Sequence, residues 1–68
     1  MKLGQYQHFK GNMYTLLHVA KHSETEELMA VYQPNYGDRE IFVRPLDMFD
    51  ETIKRDGKTF KRFAYVEA

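Results

Sequence analysis

The chain has 68 residues, with ten Lys plus Arg, ten Asp plus Glu and three His; that length holds one small domain and excludes two domains, a solenoid or a long coiled coil. Charge cancels in each half, Lys2, Lys10 and Lys21 against Glu24, Glu26 and Glu27 over residues 1–34 and seven of each sign over 35–68, which excludes a polybasic nucleic-acid arm or an acidic tail. The absence of Cys removes disulfides, thiolate nucleophiles and Cys-type metal sites, while five Phe and five Tyr supply the apolar bulk that a disordered chain lacks.

The stretch Met1-Lys2-Leu3-Gly4-Gln5-Tyr6-Gln7-His8 has no apolar run of the kind a signal peptide carries, and no segment approaches the roughly 18 apolar residues of a membrane helix. With no disulfides to staple a small secreted domain, a soluble cytoplasmic protein is expected. Lys10-Gly11-Asn12 reads as a turn with Gly11 free to take positive φ. Tyr14-Thr15-Leu16-Leu17-His18-Val19-Ala20 reads as a strand whose period of two places Tyr14, Leu16, His18 and Ala20 on one face and Thr15, Leu17 and Val19 on the other. The polar run Lys21–Glu27 reads as a hairpin loop, and Leu28–Gln33 as the returning strand. That segment has a helical rival: Ser23-x-x-Glu26 is a capping-box pattern, and Leu28, Val31 and Tyr32 have helical spacing. Pro34 ends either element, and Pro34–Asp38 is a turn cluster.

Glu40-Ile41-Phe42-Val43-Arg44 reads as a short strand stopped by Pro45. Pro is tolerated at the first helical position, so one helical turn is expected over Leu46–Phe49, with Leu46 and Phe49 on one face. Thr52-Ile53-Lys54 and Phe60–Tyr65 flank Asp56-Gly57, a favoured hairpin dipeptide. About five short strands with one helical turn before the last hairpin fit an all-β, SH3-like barrel, whose closure hides sheet edges.

Gly4-x-Tyr6-x-His8-x-Lys10-Gly11-x-x-Tyr14, Ala20-Lys21-His22-Ser23-Glu24-Thr25, Val31-Tyr32-Gln33, Tyr36-Gly37, Val43-Arg44-Pro45-Leu46-x-Met48-Phe49 and Arg62-Phe63 together resemble a small bacterial family catalogued as domain of unknown function 1653. The resemblance runs from Gly4 to Phe63 and is specific in combination. It implies an SH3-like barrel in a bacterial cytoplasm, a strand over 28–33, and no known activity. Phe42 stands where many relatives are expected to carry Trp, a mild change for packing that weakens any site needing an indole N–H.

Four constellations bear on function. His18 and His22 lie four apart, but on an extended strand that spans roughly 13 Å, too far for two ligands of one zinc ion; no metal or other cofactor is expected, and His22 is read as hydrogen-bonding within its loop to Ser23 or Thr25. Tyr6, His8, Tyr14, Tyr32 and Tyr36 supply amphipathic rings that either fill the core or, with a cation such as Arg44 or Lys10, form a recognition surface. Arg44 at a strand end either clamps an anion or pairs internally with Glu24, Asp47 or Glu51. Lys54, Arg55, Lys58, Lys61 and Arg62 oppose one acid, Asp56, with Phe60 interleaved; this is a solvated hairpin or a nucleic-acid patch.

Catalysis has the least support. Ser23, His22 and Glu24 are adjacent in sequence, whereas triad members converge from separate elements, and no phosphate loop, paired-carboxylate motif or dinucleotide fingerprint is present. The expectation is a non-catalytic binding module in which Tyr6, His8, His22, Tyr32, Tyr36 and Arg44 hold a peptide or small acidic ligand. The alternatives are RNA binding through Lys54, Arg55, Lys58, Lys61 and Arg62, and an enzyme or metal-dependent domain. A monomer, or a weak homodimer through Leu28, Met29 and Phe42, is expected, with no membrane partner.

Overall fold

The computed structural model describes residues 1–67. Seven strands are present: β1 (Gly4–His8), β2 (Met13–Lys21), β3 (Leu28–Pro34), β4 (Phe42–Pro45), β5 (Thr52–Arg55), β6 (Lys58–Lys61) and β7 (Phe63–Tyr65), with one helical turn, α1 (Leu46–Phe49), between β4 and β5. Five of them form an antiparallel sheet in the order β4-β3-β2-β1-β7, and β5 and β6 form a separate hairpin. The all-β class and the helical turn are as the sequence predicts. The strand count is higher by two: Gly4–His8 is a strand that the sequence pattern does not mark, and the segment 60–65 divides at Arg62, where Phe60 pairs with Ile53 in the hairpin and Phe63 pairs with His8.

The segment 28–34 is a strand. Ala30, Tyr32 and Pro34 are buried while Leu28 is exposed, and Met29, Val31 and Gln33 are half-buried, a period of two. The capping-box residues lie in the loop instead. Glu26 has a φ of 63°, its N–H reaches the His22 carbonyl at 2.8 Å, and the His22 N–H reaches Glu27 O at 2.7 Å.

β2 departs from simple alternation. Leu16 pairs with Tyr32 and His18 with Val31, so Leu17 is a bulge. One extra residue exchanges the two faces beyond it. Leu16 is therefore buried and Val19 packs against the core, while His18 and Ala20 are exposed. The expected sharing of a face by Leu16 and His18 fails for this reason.

The core is Tyr6, Leu16, Ala30, Tyr32, Phe49 and Phe63, with Tyr14, Val19 and Leu46 against it. Pro45 opens α1, which turns Phe49 inward onto Phe63 at 4.2 Å with a 6° interplanar angle and onto Tyr32 at 5.3 Å. β4 and β7 are the two edges of the sheet. Phe49, stacked on Phe63 of β7 and packed on Tyr32 beside β4, closes the gap between those edges with side chains. At the hairpin, Arg55 pairs with Lys58 across Asp56 and Gly57, whose φ values are 52° and 76°. Both central residues at positive φ make the type I′ turn that matches strand twist.

Among the described residues no helix is long and apolar enough to cross a membrane.

Candidate functional site

β1, β2, β3 and β7 bring four rings to the open end of the sheet. The Tyr14 ring lies 6.1 Å from His8, 5.9 Å from Tyr32 and 5.2 Å from Phe63. Tyr36, in the turn after β3, joins them because Tyr14 pairs with Pro34 and the Asn35 N–H donates to Met13 O at 3.0 Å. The Tyr14 and Tyr36 hydroxyls are 2.8 Å apart, and Asn12 Nδ2 donates to the Tyr36 hydroxyl at 3.4 Å.

Arg44 completes the cluster from β4. Its guanidinium carbon lies 5.9 Å from the Tyr32 centroid and 5.8 Å from the Phe63 centroid. Among the described residues no carboxylate stands within 4.0 Å of it. The internal ion pair considered for Arg44 is therefore absent. Glu51, one of the partners considered, instead pairs with Arg62 at 2.8 Å, and the Arg62 N–H donates to Glu51 O at 2.8 Å. The reason is placement: Glu51 precedes the hairpin and Arg62 follows it, so the two meet at its base.

The electrostatics are cationic. His8 is held below the ordinary imidazole range, first by burial and then by the Arg62, Lys10 and Arg44 charges. Its Nδ1 accepts the Lys10 N–H at 3.2 Å, consistent with a neutral ring. The Tyr14 hydroxyl is pushed up to about 12, first by burial and then by its hydrogen bond to Tyr36, with Arg44 acting weakly in the opposite direction. At neutral pH the cluster presents a guanidinium, a neutral imidazole and the protonated Tyr14 phenol. That set can donate to an anion and stack on a planar group.

Four of the six residues proposed from sequence thus come together: His8, Tyr32, Tyr36 and Arg44. Two lie apart. Tyr6 is buried between Phe49 and Tyr65, and its hydroxyl donates to Lys2 O at 2.6 Å. His22 sits in the loop closed by the Lys21–Leu28 pair, at the far end of the β2–β3 hairpin from Tyr36; six residues of strand separate the ends by about 20 Å. Its Nδ1 accepts the Glu24 and Thr25 N–H groups at 3.1 and 3.3 Å, so it shapes its own loop.

Tyr14 and Phe63 belong to the cluster and were not among those six. Tyr14 carries a sequence signal, as one of the spaced tyrosines, but its convergence with Tyr36 depends on strand register. A second polar group was not legible at all. Gln5 Nε2 donates to Thr15 Oγ1 at 2.9 Å, the Thr15 hydroxyl donates to Asn35 Oδ1 at 2.7 Å, and Asn35 Nδ2 donates back to Gln5 Oε1. This ring ties β1, β2 and the Tyr36 turn together. Among the described residues no three His, Cys, Asp or Glu are grouped to hold a metal ion.

A family model described as "Protein of unknown function (DUF1653)" matches residues 4–65. The chain belongs to this family. A solved DUF1653 protein from Bordetella bronchiseptica is similar to it at 34% identity and a TM-score of 0.87, covering 97% of this chain and 87% of that one. No curated protein matches the chain. The motif segments that resemble DUF1653 fall within the matched residues. Their side chains divide between the core (Tyr6, Tyr32, Phe49, Phe63) and the cluster at its rim, where Tyr36 is exposed and Arg44 half-buried.

Proposed function

We propose that the chain is a non-catalytic binding module that holds a small acidic or peptide ligand on the surface formed by His8, Tyr14, Tyr36 and Arg44, over the buried Tyr32 ring. The observation that carries this reading is Arg44: a guanidinium beside two rings with no carboxylate within 4.0 Å among the described residues. Lying beside two rings restricts where the guanidinium can go, so less freedom is lost when it forms a bidentate contact with a carboxylate. The Tyr14 and Tyr36 hydroxyls share one hydrogen bond between them, which leaves donor capacity for a second ligand group. Tyr36 also lines a cavity of about 230 Å³ with Phe42 and Pro34, which would receive an apolar part of the ligand. The reading assigns the module to the bacterial cytoplasm, supported by the absence of Cys and by the Bordetella relative.

The test is a titration of amide and aromatic NMR signals with succinate and with a short Glu-rich peptide. Movement of His8, Tyr14, Tyr36 and Arg44 signals, lost in a folded Arg44→Ala variant, is the expected result. Signals that stay fixed with both probes, or that move equally in the variant, defeat the reading.

A further inference from the structure

A second surface lies behind the turn that joins β1 to β2. Phe9, in that turn, and Phe60, on β6, are half-buried, with ring centroids 5.6 Å apart and planes inclined by 36°. Both line a cavity of about 370 Å³, together with Gln7, His8, Gly11 and Lys61, a volume within the roughly 300–1,000 Å³ range of small-ligand sites. Gly11 at φ 105° has open space around it, so no side chain fills the cavity from that side.

Cations surround this aromatic pair. The Arg55 guanidinium carbon lies 5.5 Å from the Phe9 centroid and the Lys10 ammonium 5.9 Å from it. In the hairpin Phe60 pairs with Ile53 and Lys58 with Arg55, so alternation puts Ile53, Arg55, Lys58 and Phe60 on one face. Lys54 falls on the opposite face. Lys61 starts from that face as well, yet it lines the rim of the cavity, with its ammonium bound to Asp50 at 3.0 Å, while Arg62 is bound to Glu51. With Lys10, the six basic residues around this site therefore sort into engaged and available ones. Lys10, Arg55 and Lys58 are the available ones on the aromatic side; among the described residues none has a carboxylate within 4.0 Å.

The geometry points to a single-stranded nucleic-acid site, in which an unpaired base enters the Phe9–Phe60 cavity and the neighbouring phosphates lie against Lys10, Arg55 and Lys58. The charge is complementary to phosphate and the rings to a base. Base–aromatic stacking beside a basic track is how small β domains hold single strands without reading sequence. His8, which lines the cavity and stands 4.5 Å from Phe9, is the one ring this site shares with the Arg44 surface.

The test is fluorescence anisotropy of labelled oligouridine and oligothymidine of about 10 nucleotides with the full chain. Both sugars are used because base and phosphate are common to RNA and DNA, and the two arms identify which is preferred. Affinity should fall between about 50 and about 200 mM salt with a log–log slope of about −2, the value for three phosphate contacts on a single strand. Phe60→Leu and Phe9→Leu keep apolar bulk and should each weaken binding by about fivefold or more, with an unchanged circular dichroism spectrum. The double variant R55E/K58E should abolish binding, and Arg44→Ala should leave it intact. Absence of binding to both oligomers at low salt overturns the proposal. So does binding that is indifferent to both Leu variants, or binding lost in Arg44→Ala.

Discussion

Arg44 and Phe63 stand on the two edge strands of the five-stranded sheet, and the guanidinium of one lies 5.8 Å from the ring of the other. The cation thus spans the opening of the sheet as Phe49 spans it deeper in. A cation–π contact at a partly solvated site contributes about 0.5–1 kcal/mol. With two such contacts, to Phe63 and Tyr32, Arg44→Ala is expected to lower stability by no more than about 2 kcal/mol, leaving a folded protein in a urea titration. A larger loss would make Arg44 a structural clasp rather than a ligand-facing group.

Phe49 marks the opposite extreme. It is fully buried, stacked on Phe63 and packed edge-on against Tyr6. Phe-to-Ala truncation in a core costs about 3–5 kcal/mol, a large share of what a domain of this size can hold. Phe49→Ala should be unfolded or nearly so at 25 °C, read as loss of aromatic NMR dispersion.

Tyr14 gives a signed dependence at high pH. Its folded value of about 12 exceeds the ordinary 10.0 of an unfolded tyrosine. Between those values the unfolded chain releases a proton that the folded chain retains, so stability falls as pH rises from about 10 to about 12. Tyr36→Phe removes the hydrogen bond but not the burial, and should move the Tyr14 titration only part of the way down. Tyrosinate absorbance against pH measures both.

His8 has the converse effect at low pH. Its folded value lies below the ordinary 6.5, so the unfolded state binds a proton first. Stability is then lost as pH falls through 6.5. The cations facing His8 from other elements, Arg44 of β4 and Arg62 before β7, oppose protonation together with Lys10. A His8→Gln variant should show a shallower fall in melting temperature between about pH 7 and pH 5.

Gly57 isolates backbone strain from packing. A Cβ there meets nothing within 4 Å, yet φ is 76°. Gly57→Ala should cost about 1 kcal/mol from the left-handed conformation alone, visible as a shift of the urea midpoint with an unchanged slope.

Local chemistry determined much of this protein from its letters. The Asp56-Gly57 turn, the Gly11 turn and the Pro45-opened helical turn depend on the φ/ψ preferences of the residues in them, so they are legible without neighbours. The segment 28–34 shows the limit of that legibility, because a capping box and a period of two coexist there. Pairing with β2 on one side and β4 on the other settled it as a strand. Only the tertiary structure decided three further matters. The Leu17 bulge exchanged the faces of β2, since one extra residue reverses every later side chain and is visible only against a partner strand. Glu51 went to Arg62 and left Arg44 free, since which carboxylate meets which guanidinium follows from where the hairpin returns. Tyr14 met Tyr36 while His22 was left at the far end of the same hairpin, since strand register sets those distances and no single residue encodes it.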